Sequence, residues 1–290
     1  RGVWIGLSGY ILWGLSPIFW KALNQVEAMD IVSWRVICTF IFVALCNSLL
    51  RFTRRGKVDR LPFLRNKLSI LGGGLIGLNW GMFVWAVESE RVVEASLGYF
   101  MNPLMNVFLG VVFLGEALRK AQWLAVTFAA AGVLWLTVSL NAFPWVSLTL
   151  AISFALYGLI RKVAPASPLQ GLRVETSVLL IPAVAFVLLR GNASENLTAD
   201  NATVILILLS GAVTGIPLLL FASSAKRIPL SILGILQYIT PTIQFLLGVF
   251  AYNETFDSNR LIGYSIIWSG LVIFALDSFR FASSQDTHEK

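Results

Sequence analysis

The sequence predicts an all-α integral membrane protein with ten transmembrane helices, arranged as two inverted five-helix repeats. Three observations carry that expectation: long uncharged apolar runs, basic charge gathered in alternate connections, and an internal repeat offset by 138 residues. Apolar residues make up 57% of the 290 and charged residues 13%, against about 25% charged in soluble globular chains. Mean hydropathy is +0.78. Because the apolar runs recur along nearly the whole chain, a single membrane domain is expected.

Apolar runs of about 17 to 25 residues read as spans. In chain order they fall near residues 3–21, 31–50, 68–87, 95–114, 121–140, 144–161, 172–190, 203–224, 230–252 and 260–279. Each is long enough to cross a bilayer core of about 30 Å at 1.5 Å per residue. The first run is followed by more of the same, which disfavours a cleaved signal peptide. The sequence starts at Arg1, and a few preceding residues are expected.

Ten spans place both termini on one side. Connections on that side hold Arg51, Arg54, Arg55, Lys57, Arg60, Arg65, Lys67, Arg119, Lys120, Arg161, Lys162, Lys226 and Arg227. The opposite connections hold Lys21, Arg91, Arg190 and Arg260. Lys and Arg collect on cytoplasmic loops, so both termini are expected in the cytoplasm, and the net charge of +7 reads as a topology signal rather than a nucleic-acid site. Asn192-Ala-Ser, Asn196-Leu-Thr and Asn201-Ala-Thr would be glycosylation acceptors only in a secretory pathway. Cys38 and Cys46 lie about 12 Å apart on a helix and cannot pair with each other. The histidine, His288, sits in the polar tail at residues 281–290, so no metal or cofactor site is expected.

An offset of 138 superposes Gly73, Gly77, Phe83, Pro103, Leu109, Gly110, Val111, Glu116 and Gly132 on Gly211, Gly215, Phe221, Pro241, Leu247, Gly248, Val249, Glu254 and Gly270. Arg35-Val36 meets Arg173-Val174, and an offset of 141 lays Trp4 and Lys21 on Trp145 and Lys162. The two halves, residues 1–140 and 141–280, therefore read as homologous. Five is odd, so the second half must enter the membrane from the opposite side, an arrangement found in many secondary transporters.

Helices interrupted by Pro or Gly at matching places in two repeats point to a transporter's site, because freed backbone groups can line a cavity. Tyr99, Asn102 and Asn106 share a face beside Pro103, and Gln237, Thr240 and Gln244 share one beside Pro241. These side chains are candidates for substrate binding and the two prolines for gating. Alternatively, the amides only join helices, as polar residues in membrane bundles often do. Trp13, Ser16 and Trp20 on the first span, Asn79 and Trp80 on the third and Tyr157 on the sixth form a second constellation, suited to an apolar pocket with few polar groups. Aromatic residues facing lipid or the interface are the competing reading.

Arg35, Arg173 and Glu175 stand out as charges inside apolar spans, where charges usually face a bundle interior and mark function. Glu175 is the candidate proton site. Interfacial anchoring or structural pairing would also account for all three, since long side chains snorkel near span ends. Glu116 and Glu254 are expected to fix loops by pairing with helix ends or nearby Arg.

Gly72, Gly74 and Gly77 match the dinucleotide-binding pattern without its strand context. Gly73 with Gly77, echoed by Gly211 with Gly215, reads instead as small-residue helix packing. The chain lacks the zinc-hydrolase, P-loop and nucleophile-elbow motifs, so no enzyme activity is expected and gradients should supply the energy.

The stretch Glu94-Ala-Ser-Leu-Gly-Tyr-Phe-Met-Asn-Pro103, continuing through Phe113-Leu-Gly-Glu116 and Gln122-Trp-Leu-Ala-Val126, closely resembles the RarD branch of the EamA transporters. So do Ala155-Leu-Tyr-Gly-Leu-Ile-Arg-Lys162 and Leu233-Gly-Ile-Leu-Gln-Tyr-Ile-Thr-Pro241. The likeness to this branch of the drug/metabolite transporter superfamily covers essentially the whole chain. The resemblance implies a bacterial inner-membrane permease whose spans 1, 3, 4, 6, 8 and 9 line a central cavity, with spans 5 and 10 peripheral. Its partners would be a small-molecule substrate, amino-acid-like or drug-like, and the lipid bilayer, with monomer and homodimer both open. Export by alternating access is the expected function. An uncoupled facilitator and a non-transporting ligand sensor or scaffold are the alternatives.

Overall fold

A computed structural model describes residues 1–53, 67–139, 142–190, 200–252 and 258–288. Among these, ten helices are long and apolar enough to cross a membrane. They are α1 (Gly2–Lys21), α2 (Ala28–Thr53), α3 (Lys67–Glu88), α4 (Val92–Leu114), α5 (Lys120–Val138), α6 (Trp145–Val163), α7 (Pro168–Arg190), α8 (Asn201–Ala225), α9 (Leu230–Ala251) and α10 (Ser258–His288). Several helices outrun their apolar cores by a turn: α7 begins at Pro168, where the fixed φ of proline suits a first helical position, and carries exposed Arg173 before its uncharged stretch. Glu254, the Asn192 and Asn196 acceptors and the basic residues Arg54, Arg55, Lys57, Arg60 and Arg65 lie outside the described residues.

The outside of the bundle is apolar. Leu189 is 88% exposed and Phe250 77%, a surface that water would disfavour and lipid accommodates. Inside, helix pairs recur in a regular way. α3 packs on α6 and α7 as α8 packs on α1 and α2; α4 crosses α9, and α5 pairs with α10. Two glycines allow the first of these contacts. A Cβ at Gly73 would stand 3.1 Å from the Glu175 Cα on α7, and one at Gly211 only 2.3 Å from the Cys38 carbonyl on α2, so both crossings bring backbone against backbone.

Proline treats α4 and α9 differently. Pro103 sits inside an unbroken α4. In α9 the helix is interrupted at Tyr238 between Leu230–Gln237 and Ile239–Leu246, and a π-helical turn, Leu247–Ala251, closes it. The Pro241 nitrogen carries no proton, which frees the Gln237 carbonyl four residues earlier. α4 ends at Gly115, whose φ of 65° is left-handed, and the next amide, Glu116 N, returns to the Gly110 carbonyl at 3.0 Å. That turn aims the Glu116 side chain back across the helix ends.

Candidate functional site

Contacts between helix ends define two faces. On the face carrying the termini, the Ser224 hydroxyl donates to the Gly2 carbonyl at 2.9 Å. There Glu116 accepts from the Leu230 and Ser231 amides at 2.6 and 2.8 Å and from the Ser231 hydroxyl at 2.7 Å, which caps α9 from the end of α4. Capping the positive end of a helix with a carboxylate is favourable both as hydrogen bonding and as dipole complementarity. Lys162 donates to the Ile228 carbonyl at 2.6 Å and stands 3.7 Å from Glu116. Lys226 donates to the Ala164 carbonyl; burial, then the nearby Arg161 charge, hold its pKa below the ordinary lysine value. Arg119 pairs with Asp277. The termini face is thus stitched shut across α4, α6, α8 and α9.

Just inside this seal lies an ion pair. Arg161 and Glu175, 2% and 1% exposed, meet at 2.8 Å. The Arg161 guanidinium also donates to the Pro168 carbonyl at 2.7 Å, and the Tyr157 hydroxyl to Glu175 at 3.0 Å. Arg161 was expected in a connection; it is instead in the last turn of α6 and buried. Its spacing from Tyr157, four residues, was the available signal, because i and i+4 share a helix face. Arg173 is exposed, so it does not join Glu175 in the interior.

The amides of α4 and α9 face one another. Asn106, fully buried, donates to the Gln237 side-chain oxygen at 3.0 Å and to that of Asn102 at 3.2 Å. Asn79 donates to the Leu150 carbonyl and the Ser153 hydroxyl, tying α3 to α6, and Thr240 donates to the Tyr10 carbonyl, tying α9 to α1. Ser16 bonds back to its own helix at the Trp13 carbonyl. In this conformation Asn79, Asn106, Gln237 and Thr240 join helices.

Aromatic rings fill the space between. Trp13 lies 5.8 Å from both Phe154 and Phe221, and Tyr157 stacks on Phe221 at 6.0 Å. Tyr10, absent from the sequence candidates, contacts Trp13 and Phe221 and donates to the Leu233 carbonyl.

Towards the opposite face, a cleft of about 220 Å³ is lined by Ser96, Tyr99, Pro241, Gln244, Gly248, Arg260 and Tyr264 among others, and Gln244 donates to the Trp13 carbonyl at 3.5 Å. Thus α10 reaches the site, beyond the six helices that the resemblance implies.

A membrane bundle of ten helices, with a cleft between α4 and α9, the helices that carry Pro103 and Pro241, has the architecture of a carrier. The chain belongs to the EamA-like transporter family, whose model matches residues 1–138 and again 144–276, and within it to the RarD branch. It is 42% identical over 287 residues to protein RarD of Streptomyces exfoliatus, covering 97% of this chain and 90% of that protein. To the uncharacterized transporter YojE of Bacillus subtilis it is 39% identical, covering 99% and 98%. The chloramphenicol-sensitive protein RarD of Pseudomonas aeruginosa is 31% identical, with 98% and 97% covered. A crystal structure at 19% identity shares the fold with a TM-score of 0.69 over 95% of this chain and 97% of its own.

Proposed function

We propose that this chain is a secondary transporter that exports a small metabolite across the bacterial inner membrane, alternating access between two inverted five-helix halves, 1–140 and 141–280. The observation that carries this reading is an asymmetry between equivalent positions. On the termini face a Cβ at Gly234 would sit 2.7 Å from the Pro103 carbonyl, and one at Gly110 3.0 Å from the Ser231 nitrogen. Shifting each residue by 138 gives Ser96, Pro241, Gly248 and Val93, and these line the open cleft. One sequence pattern is packed shut at one face and parted at the other. At the crossing, the Tyr238 hydroxyl donates to the carbonyl of its own repeat mate, Phe100.

In this reading Asn102, Asn106 and Gln237 latch the closed face, Pro103 and Pro241 let α4 and α9 bend, and Tyr99 and Gln244 meet the substrate. Trp13, Ser16, Asn79, Tyr157 and Thr240 form its floor and walls. The basic connections support a cytoplasmic termini face, and export is supported by the resemblance to exporting relatives.

The test uses Val93→Cys with Gly248→Cys in a Cys38→Ala, Cys46→Ala background. A disulfide should form as the cleft closes, stop flux in liposomes, and release it on reduction. Thiols that never cross-link while flux proceeds would refute closure at this face. Substrates for the assay would come from thermal-shift screening of amino acids, other metabolites and chloramphenicol, since a ligand of the folded state raises apparent stability.

One observation favours a facilitator without proton coupling: among the described residues the cleft lining includes no carboxylate, and Glu175 is held by Arg161 and Tyr157 in a buried cluster. Counterflow insensitive to uncouplers is the expected result under that reading.

A further inference from the structure

Arg35 is placed differently from the ion-paired arginines of the bundle. Arg161 has Glu175, Arg119 has Asp277, and Arg190 has Glu27 and Asp30. The Arg35 guanidinium has no ion pair and no hydrogen-bond partner among the described residues, and its Nε is buried with its proton unmatched. It lies seven residues into α2 from Ala28, about 10 Å along the axis. Tyr99 lies seven residues into α4 from Val92 and Trp80 eight before the end of α3, so all three share a depth on the cleft side.

The side chain points inward. Its guanidinium carbon is 4.2 Å from the Trp80 ring centre on α3 and 5.5 Å from that of Trp20 on α1. Snorkelling to a headgroup would turn it away from these helices, so interfacial anchoring does not describe it. Ring faces stabilise a guanidinium from above and below, but the five N–H groups lie in its plane and are not satisfied by them. A charge inside a span without a carboxylate is costly to keep. What matches the free edge is a planar anion accepting two parallel hydrogen bonds. The cleft between α4, α9 and α10 includes Arg260 and, among the described residues, no carboxylate.

We propose that Arg35 is an anion-binding residue between α1, α2 and α3, holding the carboxylate of an organic monoanion whose apolar body packs against Trp20 and Trp80. Calling that anion the substrate rests on the transport reading; the binding site does not. One guanidinium without a second cation beside it suits a single carboxylate better than a doubly charged phosphate.

The experiment compares matched probes on the purified full chain: 3-phenylpropanoate and its neutral amide, extended to benzoate, indole-3-acetate and decanoate with their amides. Binding is read by thermal shift and by quenching of tryptophan fluorescence. Carboxylates should bind and amides should not. Arg35→Gln should weaken carboxylate binding about 10- to 100-fold, the worth of a charge-assisted pair, and Arg35→Lys should retain part of it, since charge persists without the fork. Equal affinity in Arg35→Gln, equal affinity for amides, or silence from every carboxylate would overturn the proposal. If Arg35→Gln fails to fold, Arg35→Lys carries the test: affinity undiminished from wild type overturns the bidentate assignment. Liposome flux separates the two readings. Carboxylates that bind without flux would refute transport and leave the site, whereas flux undiminished in Arg35→Gln would refute the site and leave transport.

Discussion

Replacing Glu175 by Gln would leave the Arg161 guanidinium at 2% exposure with no counter-charge. Removing one partner of a buried ion pair typically costs about 3–5 kcal/mol, because the remaining charge stays desolvated. That is a large part of the roughly 5–15 kcal/mol that holds a typical domain folded. The double replacement Arg161→Met with Glu175→Leu removes both charges and should recover most of the loss. Tyr157→Phe, which removes one hydrogen bond to the carboxylate, should cost about 1.5–3 kcal/mol. Gly171→Ala offers an independent approach: a Cβ there would stand 1.9 Å from an Arg161 nitrogen, displacing a guanidinium already held by Glu175 and Pro168. Denaturant unfolding in micelles measures the four variants, with liposome flux across a pH series alongside. The structural account requires that Glu175→Gln is destabilised, that the double variant is rescued, and that the pH dependence of any surviving transport is unchanged. A Glu175→Gln protein of normal stability whose flux no longer responds to pH would refute this reasoning and return Glu175 to the role of proton carrier.

Glu116→Gln should loosen the termini face by weakening three hydrogen bonds to α9; labelling of a Leu230→Cys thiol in a background without Cys38 and Cys46 is expected to speed up about 10- to 100-fold. Asn106→Leu leaves the Asn102 and Gln237 oxygens without their donor and should cost about 1–3 kcal/mol, read as a lowered melting midpoint together with slower transport. Asn102→Leu or Gln237→Leu should impair flux while expression and folding persist, and normal flux in both would remove these residues from the gate. Gly211→Ala would set a methyl 2.3 Å from the Cys38 carbonyl; backbone cannot yield as a side chain does, so an overpacking loss of about 1–3 kcal/mol or more is expected in the same unfolding assay.

How much of the site was legible depended on whether the signal was local. Tyr99, Gln244, Pro103 and Pro241 stood out because polar groups and prolines in apolar helices are rare enough to be noticed one at a time. The 138-residue offset further tied α4 to α9. The partners were not legible. Asn106 meeting Gln237 depends on how two helices cross, and the reading of these amides as helix joiners was as open as cavity lining until that crossing was seen. Arg161 was missed because a basic residue in a last turn looks interfacial in sequence; burial there follows from α7 laying Glu175 against it.

The sequence by itself determined the solvent, the ten spans and the family, since hydrophobic length and motif are properties of the linear chain. Tertiary structure decided which polar groups are spent on one another and which remain free. Arg173 and Arg35 stand 138 residues apart, yet one is exposed and the other packs against the rings of Trp20 and Trp80. The physical reason is that a membrane charge takes its role from what surrounds it, and those surroundings are assembled from helices distant in sequence.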